Sequence, residues 1–224
     1  MSLPFNLAFS GLSSGLQTKN AAGGWTYETQ FNNITGWTGV SGAFTHSTDK
    51  IAFNVDTSLS NMYYDHTTIS DTAWVLRFPL LLGTLVNGSA LQQIYWGLNS
   101  AAGSFSANQD SVGFGIRFGE GGTSYRNIWG NAASMGANVD AYTETASSAD
   151  DHGIQLIRTT ATNVEGKIMN SAFSSTTETN NTTIDSTVQS LRYSYGVTLN
   201  EGTDTNVIGD FTAWYFANAV TVPP

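Results

Sequence analysis

The sequence contains neither Glu-x-Asp-x-Glu nor Glu-x-Asp-x-x-Glu, the spacings that would place a catalytic pair of carboxylates along one strand. Acid–base hydrolysis of a sugar linkage needs two carboxyl groups about 5 to 10 Å apart. On one β-strand, two residues share a face when they are two or four positions apart. Glu28 and Glu165 fall on candidate strands, and neither has an acidic residue at those spacings. We therefore predict no catalytic residues.

Nucleophilic and metal chemistry based on cysteine or histidine has little support in the sequence. There is no cysteine, which excludes thiol nucleophiles, disulfides, zinc ribbons and iron–sulfur clusters. The three histidines, His46, His66 and His152, are scattered, whereas a zinc site needs three or four ligands brought together. His66 and His152 each follow an aspartate, a pairing more typical of polar loops than of a catalytic site.

The charge of the chain excludes several classes of partner. Of the 224 residues, 17 are acidic and 8 are basic, which gives a net charge of −9. Nucleic acid and anionic membrane surfaces would repel such a chain, because both bind clustered lysine and arginine. No run of 18 apolar residues is present, so we predict no membrane span. The first nine residues lack the positive charge that is typical of a signal peptide. The sequence does not indicate an oligomeric state.

The composition favours an all-β fold. Only 11% of the residues are charged, so serine, threonine, asparagine and glycine must supply most of the polar surface. These residue types disfavour helix interiors and are common in strands and turns. Short apolar runs separated by turn residues begin at Trp25, which is typical of a β-sandwich or barrel. We predict an N-terminal arm or lead-in strand over 1–24 and a single domain over 25–224.

The clearest strand covers 73–80, where apolar residues alternate with a period of two. Trp74 and Phe78 share the face that we predict to be buried, and Arg77 points to the opposite face. Proline cannot donate a ladder hydrogen bond. Pro79 therefore predicts that this strand ends there, bulges or lies at a sheet edge.

Other strands are shorter or less regular. They are predicted over 94–98, 110–118, 153–160, 163–169, 191–199 and 209–217, with weaker candidates over 25–31, 50–55, 62–65 and 125–129. The dipeptide at 161–162 predicts a tight hairpin. Residues 139–149 are predicted as a loop, and the serine- and threonine-rich segment 174–187 as a solvated loop or edge hairpin.

One face of the strand at 110–118 carries little bulk. Val112 and Phe114 are on the face that we predict to be buried, while Gly113 and Gly115 alternate on the other face. Glycine in a strand marks either a close approach of neighbouring backbones or an open surface. We predict that this face is open, as a binding groove requires.

Seven segments, taken in order, carry a resemblance to a known superfamily. They are Phe-Asn-Asn-Ile-Thr-Gly-Trp at 31–37, Ile-Ala-Phe-Asn-Val at 51–55, Ser-Asp-Thr-Ala-Trp-Val-Leu-Arg-Phe at 70–78, Gly-Leu at 97–98, Gln-Asp-Ser-Val-Gly-Phe at 109–114, Ile-Arg-Thr at 157–159 and Gly-Asp-Phe-Thr-Ala-Trp-Tyr-Phe at 209–216. The sequence resembles the concanavalin A-like lectin/glucanase superfamily. More narrowly, it resembles laminin-G-like modules of uncharacterised marine archaeal, bacterial and viral proteins. The resemblance implies a jelly roll of two antiparallel sheets.

A function follows only as an implication of this resemblance. It implies a non-catalytic, lectin-like module of a secreted, cell-surface or virion protein, whose partner is a glycan or a cell-surface polysaccharide. On the face that we predict to be open, Tyr95, Arg117 and Trp129 are the candidate glycan contacts. Two alternatives stay open. One is a purely structural, adhesion or virion decoration domain without a ligand, and the other is a divergent glycoside hydrolase.

The resemblance also implies one structural calcium ion. Calcium binds six to eight oxygens, often from carboxylates and loop carbonyl groups. Many members of the superfamily use an aspartate of the last strand, and Asp210 matches that position. Asp110 is a second candidate ligand. Relatives often carry adjacent acidic residues at the start of the last strand, whereas Phe211 follows Asp210 here, which weakens the case for an acidic site at that end.

Overall fold

The computed structural model describes residues 24–55, 60–85, 92–102, 110–119, 123–131, 139–145, 150–183, 188–200 and 207–224. The regular elements in these ranges are sixteen β-strands, with no α-helix among the described residues. The same residues contain no helix with the length and hydropathy of a membrane span. In chain order the strands are β1 (Tyr27–Thr29), β2 (Trp37–Thr38), β3 (Phe44–Ser47), β4 (Lys50–Val55), β5 (Ser60–Asp65), β6 (Trp74–Leu85), β7 (Gln92–Asn99), β8 (Ser111–Gly119), β9 (Thr123–Asn131), β10 (Val139–Thr145), β11 (Asp150–Thr160), β12 (Asn163–Met169), β13 (Thr176–Thr183), β14 (Tyr193–Asn200), β15 (Val207–Phe211) and β16 (Trp214–Asn218).

The strands form two sheets, which confirms the predicted β-sandwich. The nine-stranded sheet has the order β13-β12-β11-β6-β15-β4-β3, with β16 beside β6 and β1 beside β16. The seven-stranded sheet has the order β10-β9-β8-β7-β14-β5-β2. All of these neighbouring strands pair antiparallel.

The core between the sheets is rich in aromatic rings. Trp74 and Phe78 of β6 belong to one buried cluster with Trp96 of β7 and Phe114 of β8. The Phe78 ring stacks on Trp214, with centroids 4.8 Å apart and an interplanar angle of 7°. Such ring pairs stabilise a fold by about 0.5–1.5 kcal/mol beyond the burial of their area. The period-two alternation predicted for β6, β7 and the start of β8 is therefore confirmed.

Pro79 lies in the middle of a long central strand, so the predictions of a strand end and of a sheet edge are wrong. β6 continues to Leu85 and has a neighbour on each side. On one side its partner changes from β16, which pairs with it as far as Arg77, to β15, which pairs with it from Leu80. Pro79 falls in the gap between these two partners, where the ladder needs no donor.

Several other boundaries test the sequence prediction. The segment 209–217, predicted as one strand, is divided between β15 and β16, which pair with different parts of β6. Residues 139–145 form β10 by pairing with β9, so the predicted loop is wrong there. The edge prediction for 174–187 is confirmed, because β13 is an edge strand. The hairpin prediction is also confirmed, because Thr160 pairs with Asn163.

The N-terminal arm predicted over 1–24 cannot be compared with the structure, because residues 1–23 lie outside the described part of the chain.

Candidate functional site

The outer face of the seven-stranded sheet is the surface that the sequence predicts for glycan binding. Tyr95 of β7 pairs with Val197 of β14, and Tyr195 pairs with Tyr63 of β5; these four side chains pack in one cluster. Tyr95 is only 6% exposed, and residues 111–115 are buried. The prediction of an open face is therefore wrong at 111–115, because the protein encloses this stretch.

The other two predicted glycan contacts are on the strands that follow Tyr95 in the sheet. Arg117 of β8 is opposite Gln93 of β7, and Trp129 of β9 is opposite Gly113 of β8. The side chains of Arg117 and Trp129 lie outside the described part of the structure. The register brings the three residues onto adjacent strands, and their role in glycan binding stays a prediction.

Close strand packing explains one glycine of this sheet. A Cβ atom on Gly97 of β7 would collide with the carbonyl oxygen of Val112 and the Cα atom of Gly113 on β8. Neither is a flexible side-chain end that can move aside. Glycine at 97 therefore serves the approach of two strands and does not indicate a binding surface.

The two predicted calcium ligands are in different hydrogen-bond networks. Asp210 Oδ2 accepts a hydrogen bond from Lys50 Nζ at 2.6 Å. Asp110 Oδ2 accepts one from the backbone N–H of Gln189 at 2.8 Å. In the described ranges, no group of three acidic or histidine side chains converges as a metal site. Calcium at Asp210 or Asp110 stays a prediction.

A groove lies on the outer face of the nine-stranded sheet. Its volume of about 820 Å³ is in the usual range of small-ligand pockets. Arg77, Pro79 and Leu81 of β6 line it, while the alternate residues of this strand fill the core. Thr212 and Ala213, in the gap between β15 and β16, also line the groove. The interruption of the sheet at Pro79 therefore coincides with the groove.

Three aromatic rings and one arginine form one end of the groove. Arg77 Nε donates a hydrogen bond to Gln155 Oε1 at 2.6 Å. The Arg77 guanidinium carbon lies 5.7 Å from the ring centroid of Trp25 and 5.1 Å from that of Phe173. The Tyr215 ring lies 5.4 Å from Trp25 and 6.4 Å from Phe173. These cation–π and ring contacts hold the aromatic faces and the cation in fixed positions.

An apolar cluster and a glycine of the nine-stranded sheet support the aromatic end of the groove. Trp25 packs against an apolar cluster on the same face of the sheet, formed by Val75, Ile157 and Ala217. Gly153 pairs with Pro79, and a Cβ atom there would meet the Phe173 ring and the Asn170 carbonyl oxygen. Glycine at this position therefore leaves the space that Phe173 occupies.

Carboxylates flank the other end of the groove. Asp151 of β11 and Asp210 of β15 both pair with Leu81 of β6, one on each side. Their Cα atoms are thus about 10 Å apart, twice the spacing of neighbouring strands. The Leu81 side chain between them is 41% exposed. Asp151 Oδ2 accepts a hydrogen bond from Ser171 Oγ at 2.8 Å. An apolar side chain therefore stands between two carboxylates.

The protonation of two groove residues follows from their surroundings. Burial lowers the pKa of the Arg77 guanidinium, because its charged form loses contact with water. Arginine nevertheless stays charged in proteins. Burial also raises the pKa of the Tyr215 phenol, and the nearby Glu28 carboxylate raises it further. The groove thus presents a cation and a neutral phenol near neutral pH.

A buried serine and histidine also meet, but in the core. Ser194 Oγ lies 2.7 Å from His66 Nε2 and accepts a hydrogen bond from Trp214 Nε1 at 2.8 Å. All three residues are buried, so no substrate reaches this hydroxyl.

The sequence also contains a Gly-x-Ser-x-Gly spacing at 11–15, which is the pattern of a nucleophile elbow. This segment lies outside the described residues.

The sequence prediction includes Asp210 of this groove and misses the other lining residues. Arg77 and Pro79 could have been found from the sequence, because the alternating pattern places both on the outward face of β6. No pattern in the sequence identifies Trp25 and Phe173 as residues of the groove. They are about 50 and 100 residues from Arg77 in the sequence and meet it only through the fold.

Comparison with known proteins bears on the fold. No protein-family model and no curated protein matches the chain. The CBM2 module of the evolved Dit of Lactobacillus casei BL23 phage J-1 matches with a TM-score of 0.59 and 10% identity, over 88% of this chain and 95% of that one. A legume lectin-like domain from Entamoeba histolytica matches with a TM-score of 0.55 and 8% identity, over 83% and 91%. Alginate lyase A1-II′, of polysaccharide lyase family 7, matches with a TM-score of 0.52 and 12% identity, over 80% and 85%.

At these identities the matches show the fold alone. The fold is a concanavalin A-like jelly roll, as the resemblance of the sequence implied, and the narrower resemblance to laminin-G-like modules stays a prediction. The similar structures include both a lectin-like domain and a lyase, so the fold does not select between binding and catalysis.

Proposed function

We propose that this concanavalin A-like jelly roll is a non-catalytic carbohydrate-binding module of a secreted, cell-surface or virion protein. We further propose that the groove on its nine-stranded sheet holds the glycan. One observation carries the proposal: the aromatic rings of Trp25, Phe173 and Tyr215 stand beside Arg77 in a groove that also contains carboxylates.

The chemistry of a sugar matches this arrangement. A pyranose ring has an apolar C–H face and a rim of hydroxyl groups. Aromatic side chains offer large apolar area in a fixed orientation. Charged groups form short, strong hydrogen bonds with hydroxyls, as Arg77 can by donating and Asp151 by accepting. Ligand sites typically combine such an apolar lining with a few placed polar groups.

The binding role is favoured over hydrolysis because Glu28 and Glu165, the glutamates on the predicted strands, have no acidic residue two or four positions away. Glu165 forms an ion pair with Lys167 at 2.6 Å, which makes it a surface pair on β12. Glu28 pairs in the ladder with Tyr215, beside the groove. We expect no cleavage of laminarin, agar or alginate. Cleavage that is lost in Glu28→Gln or Glu165→Gln would show that the protein is an enzyme.

A blocking variant tests the groove as the binding surface. Leu81→Arg places a long side chain between Asp151 and Asp210, where it fills the groove and can pair with both carboxylates. Thr179→Arg is the matched control. Thr179 is exposed on β13 and pairs with Lys167, which pairs with Gln155, so it lies in the same ladder row as Arg77 but outside the groove.

The measurement is a glycan array followed by titration calorimetry on the glycans that bind. We expect binding by the native chain, a loss of at least about tenfold in affinity for Leu81→Arg, and a change below about twofold for Thr179→Arg. An array without any bound glycan would refute the carbohydrate-binding role and favour a structural or virion decoration domain. Equal affinities for the two arginine variants would move the site away from the groove.

A further inference from the structure

We infer that the groove selects uncharged glycans and rejects anionic ones, such as oligouronates and sulfated sugars. This inference rests on the proposed function and names the substrate class of the same site. Asp49, Asp151 and Asp210 line the groove, and Arg77 is the one cation among its lining residues in the described part of the chain. Even when Lys50, which is bonded to Asp210, is included, three negative and two positive charges leave a net charge of −1.

The carboxylate end offers hydrogen-bond acceptors to sugar hydroxyls. Asp151 uses Oδ2 for Ser171, and Asp210 uses Oδ2 for Lys50. In the described part of the chain, Oδ1 of each aspartate has no hydrogen bond, so it can accept one from a ligand. The exposed Leu81 side chain between them can contact the C–H face of the ring. A ligand carboxylate or sulfate at this point would instead meet the Asp151 carboxylate, which has no cationic partner among the described residues, and the Asp210 carboxylate, whose charge Lys50 offsets.

Arg77 is too far from this end to compensate for the repulsion. Arg77 and Leu81 are four residues apart on β6, which corresponds to about 13 Å. The Debye length at physiological salt is about 8 Å, so Arg77 and the carboxylates act on different parts of the ligand. In a polymer with an anionic group on every sugar ring, one ring can contact Arg77, but another ring then brings its anionic group to the carboxylate end. The net charge of −9 opposes its approach as well.

Titration calorimetry with two sets of oligosaccharides tests the inference. One set is uncharged (gluco-, manno-, galacto- and xylo-oligosaccharides), and the other is anionic (oligoalginate, oligogalacturonate and a sulfated galactan fragment). Each is measured at low and high sodium chloride. We expect the uncharged set to contain the ligand, with an affinity that salt changes by less than about twofold. The anionic set should bind at least about tenfold more weakly.

Asp151→Asn tests the assigned acceptor, because Asp151 is exposed and its replacement keeps the side-chain size. We expect it to weaken binding of the uncharged ligand about tenfold. Glu165→Gln, on β12 outside the groove, is the matched control and should leave affinity unchanged.

The outcomes separate the inference from the proposed function. Tight binding of an anionic glycan that weakens with salt would overturn the inference and leave the carbohydrate-binding role intact. No binding of either set would overturn both. Uncharged binding that is insensitive to Asp151→Asn would overturn the assignment of the carboxylate end.

Discussion

Replacement of Arg158 by methionine should destabilise the protein far more than the same replacement of Arg192. Arg158 of β11 is fully buried. Its Nη2 donates hydrogen bonds to the carbonyl oxygens of Ala161 at 2.7 Å and Val188 at 2.8 Å, and its Nε donates to that of Thr160 at 3.2 Å. One side chain thus ties the β11–β12 hairpin to the segment before β14.

The expected loss follows from opposing effects. Each hydrogen bond from a charged donor contributes about 1.5–3 kcal/mol. Burial lowers the pKa of Arg158, which indicates a desolvation penalty, and the charges of Asp71 and Asp110 offset part of it. Nη1 is a buried donor without a partner in the described structure, which reduces the net gain further. We therefore expect Arg158→Met to lower the free energy of unfolding by about 2–4 kcal/mol.

Thermal unfolding followed by circular dichroism measures this loss. In a chain of this size, about 1 kcal/mol corresponds to about 2–4 °C in Tm, so Arg158→Met should lower Tm by about 5–15 °C. Arg192 is the matched control: it is exposed, and it pairs with Asp65 through bonds of 2.8 and 2.7 Å. Such an exposed ion pair contributes little to stability, because water screens it. A loss for Arg158→Met no larger than that for Arg192→Met would refute the reasoning.

Strand packing at Gly97, the ion pair of Asp65 and the predicted calcium site at Asp210 can each be tested by a change in stability. Gly97→Ala should lower the free energy of unfolding by about 1–3 kcal/mol, because the new methyl group collides with the carbonyl oxygen of Val112; a denaturant midpoint equal to that of the native chain would contradict this. The hydrogen bond from Arg192 lowers the pKa of Asp65, so this pair should stabilise the fold above the ordinary aspartate pKa of about 3.9 and stop doing so as the pH falls through the lower folded value. The Tm difference between the native chain and Asp65→Asn should therefore be constant near neutral pH and vanish towards pH 2, and a difference that grows in acid would be inconsistent with it. A calcium ion at Asp210 should make Tm fall when a chelator is added, and an unchanged Tm would exclude it.

The positions of the main strands and their buried faces were predictable because they rest on local patterns. Alternation in β6, β7 and β8 marked the buried faces, and the turn at 161–162 marked a hairpin. The interruption at Pro79 was not predictable. The sequence shows only that Pro79 lacks a backbone N–H donor. The sheet order shows that β16 and β15 meet beside Pro79, which makes this donor unnecessary.

The candidate site was much less predictable than the fold. Glycines on β8 suggested an open face, yet glycine has the same signature where strands pack closely, as at Gly97. The groove depends on contacts across the sequence, such as that of Arg77 with Phe173, and on two aspartates on different strands beside Leu81. A search for carboxylates along one strand cannot find such a pair.

A crystal structure with an uncharged oligosaccharide from the glycan array would show whether the groove is the binding surface. We expect a sugar ring on Leu81, with hydroxyl groups bonded to Asp151 and Asp210 and the rest of the ligand extending towards Trp25. A ligand bound instead at Tyr95 and its neighbours on the seven-stranded sheet, with the groove empty, would contradict this expectation.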